Sequence, residues 1–180
     1  MPAAKRHRYE TELGLSPYDT RVLTDDHGIT QYFEDAIATP TPAKQAANWI
    51  MGDITGYLNN GNLKIEDIAL KPKDLAELIG LIEDQTISGK IAKEILPELL
   101  TKGGSPQKLV EKKGLTQITD VAALEELIDA VLADNPKELE QYHNGKTKLK
   151  GFFMGQVMKR TGGRADPKAT NQMLSKKLEG

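Results

Sequence analysis

Three histidines, no cysteine and scattered carboxylates are all that this 180-residue chain offers for catalysis or metal binding. His7, His27 and His143 lie far apart and form no HExxH pair, and no Asp/Glu cluster has metal-ligand spacing, so a metal site is not expected. Without cysteine there is no thiolate cage, catalytic thiol, iron–sulfur cluster or disulfide framework, and a reducing, cytoplasmic setting is the expectation. Asn144-Gly145-Lys146-Thr147 ends like a phosphate-binding loop, but Glu140 stands where the pattern needs its first glycine and no strand precedes it. A dinucleotide fingerprint and a GxSxG elbow are absent. Adjacent carboxylates such as Asp25-Asp26 and Glu125-Glu126 read as caps or exposed helix faces, so no catalytic residue is assigned and a stand-alone enzyme is not expected.

Positive charge is what the chain concentrates. Residues 143–180 carry Lys146, Lys148, Lys150, Lys159, Arg160, Arg164, Lys168, Lys176 and Lys177 against Asp166 and Glu179, a balance of +7, while residues 1–142 hold 15 cations and 24 anions, a balance of -9. The net charge of -2 therefore hides an acidic body and a basic tail, an asymmetry that signals a nucleic acid or an anionic surface as partner. Solvated lysines on small helices are the blander reading.

Residues 144–166 (NGKTKLKGFFMGQVMKRTGGRAD) are the most informative stretch. If residues 146–161 are helical, Leu149, Phe152, Phe153 and Val157 share a core face. Gly151 and Gly155 fall on another face with Met154 and Met158, flanked by Lys148, Lys159 and Arg160. Each glycine costs up to ~1 kcal/mol in a helix interior, a cost tolerated where a neighbouring helix or a phosphate backbone must come close. Asp166-Pro167 opens a last helix whose first N–H groups offer a place for a cap or a phosphate, and the turn at residues 161–164 is short and basic. Such charges suit a phosphate backbone and carry no base code. With Phe152 and Phe153 claimed by the core, a folded, A-form-like RNA fits better than a stacked single strand or DNA.

The elements that must position these residues are helices. Short polar residues followed by proline mark starts at Ser16-Pro17, Thr41-Pro42, Ser105-Pro106, Asn135-Pro136 and Asp166-Pro167, and glycines at 14, 61, 103–104, 114, 145 and 162–163 mark stops. Apolar stripes at helical spacing run through Leu75, Leu78, Ile79 and Ile82, through Ile91, Ile95 and Leu99, and through Leu124, Leu127, Ile128, Val131 and Leu132. Residues 62–70 alternate briefly, as a loop or short turn also would, and Pro97 is expected to kink or split its helix. Trp49, Ile50, Ile54 and Tyr57 read as packing rather than a ligand site; Ser88, Gly89 and Lys90 open a helix as a simple cap or a second phosphate contact. The reading is all-α, roughly ten short helices, with a boundary near residue 114 and a fresh cap at Thr119 or Asp120. Residues 1–10 carry Lys5, Arg6 and Arg8 with no apolar stretch behind them, so neither a secretory signal nor a membrane span is expected.

The runs ISGKIAKEIL, GGSPQKLVEKKGLTQITD, NPKELEQYHNGKTKLKGFFMGQVMK and TGGRADPKATNQML resemble the C-terminal half of the B subunit of the bacterial tRNA-dependent aspartyl/glutamyl amidotransferase family, GatB, with its YqeY-type tail; LGLSPYDTRVLTDD is similar to the start of that subunit's helical domain. The resemblance covers residues 2–178. It implies two small helical domains, a bundle over residues 1–114 and a compact tail over residues 115–180. It implies a tRNA-holding part of a ligase that converts Glu-tRNA(Gln) and Asp-tRNA(Asn) to Gln-tRNA(Gln) and Asn-tRNA(Asn). ATP and Mg would bind a cradle domain with no counterpart here, and the A and C subunits would be partners. The family's GKxK turn would map onto Gly145, Lys146 and Lys148, its GxxxGQVMK helix onto Gly151, Gly155, Gln156 and Lys159, and its TGGxADP turn onto Thr161, Gly162, Gly163, Ala165, Asp166 and Pro167; the charge reading adds Lys150, Arg160, Arg164 and Lys168 as candidate contacts to tRNA(Gln) or tRNA(Asn). A helical module that docks partner subunits without touching tRNA is the alternative.

Overall fold

A computed structural model describes residues 2–118 and 121–180, so the cap expected at Thr119 or Asp120 lies outside the described residues. Among these residues the chain is helical throughout. Its single β feature is an isolated parallel bridge between Ile118 and Ala165. The chain divides into two compact units, Met1–Asp84 with Ala92–Lys113, and Gln85–Ile91 with Gly114–Gly180. None of the helices is long and apolar enough to cross a membrane.

The first unit contains α1 (Pro2–Thr11), α2 (Pro17–Asp25), α3 (His27–Ala36), α4 (Ala43–Trp49), α5 (Thr55–Gly61), α6 (Pro72–Glu83), the Ala92–Lys102 part of α7 (Gly89–Lys102), and α8 (Pro106–Lys113). Local chemistry sets several of these starts. Ser16 accepts from the Asp19 N–H at 3.1 Å, Asp26 from the Ile29 N–H at 2.9 Å, and Ser105 from the Lys108 N–H at 3.3 Å. At Thr41-Pro42 the expected cap is absent, because the Thr41 hydroxyl is bonded to that of Thr39 and the helix begins one residue later. Gly61 does not supply the left-handed stop; Asn62 does, at φ +51°. Between α4 and α5 the residues Ile50–Ile54 form a π-helical turn, which keeps Trp49, Ile50, Ile54 and Leu58 buried. Residues Ile65–Asp67 make one 3-10 turn rather than a strand. Helix α7 passes through Pro97 unsplit, since Ile95, Leu96, Leu99 and Leu100 are buried on both sides of the missing hydrogen bond.

Helix α1 is fastened to α3 by one carboxylate. Glu34 accepts from Arg8 Nη1 at 2.8 and 3.1 Å and from the Tyr9 hydroxyl at 2.8 Å, and the fully buried Tyr9 ring stands edge-on to Phe33 at 5.1 Å. Burial alone would raise the Glu34 carboxyl; the hydrogen bonds from Arg8 and Tyr9 and the charges of Arg8 and Lys5 outweigh it and hold it below the ordinary carboxylate range.

In the second unit α9 (Val121–Asp134), α10 (Pro136–His143), α11 (Leu149–Arg160) and α12 (Pro167–Glu179) enclose one core of Leu124, Ile128, Val131, Phe153, Val157, Ala165, Leu174 and Leu178. Asp166 caps α12 through the Ala169 N–H at 3.0 Å. Asn135 does not cap α10: its side-chain amide donates to the Val131 carbonyl at 2.7 Å and closes α9 instead. Residues 85–91 belong here because Gln117 N–H donates to the Thr86 carbonyl at 2.6 Å, while Asp166 N–H donates to the Ile118 carbonyl at 3.0 Å.

Both units contain a polar group whose environment can be tested. Because the Glu34 carboxyl is depressed in the folded state, its contribution is present above the unfolded value of about 4.3 and lost as pH falls through the folded value. Thermal unfolding at pH 7 and pH 3 should therefore show a smaller acid-induced drop in Tm for Glu34→Gln than for the parent chain. In the second unit the Thr170 hydroxyl is fully buried with no hydrogen-bond partner among the described residues. Thr170→Val should raise stability by about 1 kcal/mol in denaturant unfolding, and a loss of that size would contradict the stranded hydroxyl.

Candidate nucleic-acid interface

Helix α11 turns Phe153 and Val157 into the core, with Leu149, Phe152, Met154 and Met158 at its edges. At 100° per residue, Lys148, Gly151, Gly155 and Lys159 then share the opposite face, and all four are exposed. Lys148 precedes the helix in right-handed helical geometry, so the register holds across the junction. The two lysines are ~16 Å apart along the axis, and the ground between them is bare. A Cβ added at Gly151 or Gly155 would meet nothing within 4 Å. Of the two sequence readings for these glycines, helix packing is the one that finds no neighbouring helix among the described residues. Met154 and Met158 pack partly against the core, Met158 from the rim of the glycine face.

The remaining cations divide by what they touch. Arg160 pairs with Asp134, and Lys177 bridges Asp129 and Glu125. These contacts pull Lys177 further up, the Asp129 hydrogen bond most strongly. Lys150 donates to the Ser175 hydroxyl on the core side, and Lys146 reaches Gln141 Oε1 at 3.4 Å. Arg164 Nε donates to the Thr116 carbonyl at 2.9 Å, which fixes its guanidinium beside the turn. Gln156 is half-buried at the edge of α11, and Lys168 is exposed at the start of α12. Among the described residues Lys148, Lys159, Lys168 and Lys176 have no carboxylate partner. Helix α11 itself carries no acidic residue. The acidic side chains of the second unit sit largely on α9 and α10, so its charge divides between helices as well as along the chain.

The backbone donors of the turn and of the first turn of α11 are spent. In the turn at residues 161–166, the N–H groups of Thr161, Gly162, Gly163 and Arg164 donate to the carbonyls of Val157, Lys159, Met158 and Thr161 at 2.8–3.2 Å. That of Ala165 donates to the Thr161 hydroxyl, and that of Asp166 to Ile118. The amides of residues 149–151 are used in tight turns onto Lys146, Thr147 and Lys148. At α12 the phosphate position considered from sequence is held by the Asp166 carboxylate, whose charge repels an anion. Ser88 likewise acts as a cap, accepting from the Ile91 N–H at 3.2 Å. Anion contacts on this surface therefore fall to side-chain ammonium and guanidinium groups. An open depression of about 430 Å³ beside Gly145, Lys146, Thr147 and Lys148 continues it past the start of α11. The aromatic rings at residues 152 and 153 stand edge-to-face at 5.5 Å, with Phe153 fully buried, so neither is a free stacking platform.

One contact on this surface is invisible to sequence spacing. Gly163 is buried at φ +82°, and Lys90 runs across it, with Cδ, Cε and Nζ 3.5–3.7 Å from where a Cβ would stand.

Comparison with known proteins agrees with the motifs. A family model described as the GatB domain matches residues 31–178. Three relatives are B subunits of an aspartyl/glutamyl-tRNA(Asn/Gln) amidotransferase. The one from Acaryochloris marina is 78% identical over the whole chain, the one from Trichodesmium erythraeum 66% identical over the whole chain, and the one from Thermosynechococcus vestitus 65% identical over 99% of it. The chain spans 36% of the length of each of these relatives. With most of its length under the family model and relatives at that identity, this chain belongs to the GatB domain family.

Proposed function

We propose that this chain holds tRNA for an amidotransferase that acts on Asp-tRNA(Asn) and Glu-tRNA(Gln), and that its second unit grips the phosphate backbone through the outer face of α11. The observation that carries this reading is the exposed Lys148-Gly151-Gly155-Lys159 face, which is cationic at both ends and has open space over both glycines among the described residues. A glycine floor lets a sugar–phosphate strand approach the helix closely while the lysines neutralise phosphates on either side. Contacts of this kind position an RNA without reading its bases, which suits a part whose task is placement. Holding the body of the tRNA raises the effective concentration of its aminoacyl end at a distant reaction centre. ATP and Mg would be handled by the portion of the relatives that this chain does not span, and the A and C subunits would complete the assembly.

Reversing both lysines, Lys148→Glu with Lys159→Glu, should weaken binding of a tRNA(Gln) or tRNA(Asn) transcript by roughly tenfold or more per reversed charge, with the circular dichroism spectrum unchanged; unaltered affinity in a gel shift counts directly against the proposal. The glycines supply an opposed pair of readouts. Gly151→Ala with Gly155→Ala fills empty space on a helix and should raise stability by up to ~1 kcal/mol per site, yet it should weaken tRNA binding by pushing the backbone outward. Greater stability with undiminished binding would remove the glycine floor from the account.

A further inference from the structure

We propose that Lys90 and Arg164 form a second phosphate-binding point for the RNA, so that the gripping surface is built from two stretches of chain more than seventy residues apart. The inference rests on the reading of α11 given above and extends it to a residue outside the basic tail.

Three observations carry it. First, the structure brings Lys90 to the turn. Segment 85–91 is part of the second unit, and the end of the Lys90 side chain lies over the buried Gly163 at ordinary contact distance from where a Cβ would stand. The aliphatic stem is thus supported while the side chain as a whole stays exposed. Second, Arg164 is already aimed. Its Nε is held by the Thr116 carbonyl, and its Nη groups have no partner among the described residues. Third, the position of Lys90 has no electrostatic benefit for the fold. It is the second residue of α7, at the positive end of a 14-residue helix, and forms no ion pair among the described residues. A cation there opposes the helix dipole. Two cations at the adjacent residues 163 and 164, Lys90 resting on one and Arg164 being the other, with every amide of the turn at residues 161–166 already used, suit a phosphate held by side chains.

The test uses the full chain and a tRNA(Gln) transcript, with affinity and Tm measured on the same samples. Lys90→Gln keeps most of the stem on Gly163 and removes the charge. It should weaken binding roughly three- to tenfold, lower the salt slope by about 0.7–0.9 for the lost phosphate, and leave Tm equal or higher because the dipole conflict is relieved. Lys90→Arg should restore binding. A purely structural lysine gives the opposite pattern, a lower Tm with unchanged affinity, and that result overturns the proposal. The pair Lys148→Glu with Lys159→Glu separates the two levels. If that pair weakens binding while Lys90→Gln does not, the second point fails and the α11 face stands; if neither affects binding, both fail together.

Discussion

The burial of Phe153 and Val157 against Leu124, Ile128 and Val131 is the constraint on which the second unit turns. A helix has one rotational setting, and these two side chains determine it for α11. Once they face inward, Gly151 and Gly155 must face outward between Lys148 and Lys159. The apolar contacts thus do two jobs. Burying side chains of this size contributes about 1.5–3 kcal/mol each, and the same burial aims four polar or small residues at solvent. No loop or mobile segment is needed to present the surface.

Charge pairing then sorts the cations by role. Arg160 and Lys177 are drawn to the carboxylates of α9 and help tie α11 and α12 to it. Exposed pairs of this kind are worth little individually, so their main consequence is to neutralise two of the tail's cations. Lys148 and Lys159 escape because α11 has no acid of its own and its outer face is opposite α9. The backbone reinforces the division. With the amides of residues 149–151 and 161–166 satisfied internally, the surface has no rigid anion nest. What is left is a set of long, hydrated side chains, which on the proposed reading would hold a phosphate backbone by charge and tolerate its sequence.

Most of the helices were legible because their signals are local. Ser16-Pro17 and Asp166-Pro167 cap and start helices using residues within one turn, and the spacing of Leu124, Ile128, Val131, Phe153 and Val157 identified the core faces of α9 and α11. The misses arose where a polar side chain had a choice. Asn135 caps the preceding helix instead of the following one, Thr41 bonds to Thr39, and Asn62 takes the left-handed turn expected of Gly61. Spacing alone also could not say whether Arg160 faces a phosphate or Asp134, since that depends on which helix lies alongside. Lys90 shows the limit most plainly. Its neighbours in sequence left a cap and a phosphate contact open, and its contact with Gly163 exists because a distant turn folds back beneath it.

The central claim is that ammonium and guanidinium side chains, and no other donors, hold the RNA. The most direct measurement is the dependence of tRNA affinity on monovalent salt for the unmodified chain. With Lys148, Lys159, Lys168 and the Lys90–Arg164 pair each engaging a phosphate, log affinity should fall linearly with log salt at a slope of about -2.8 to -3.6. A slope near zero at measurable affinity would contradict the claim.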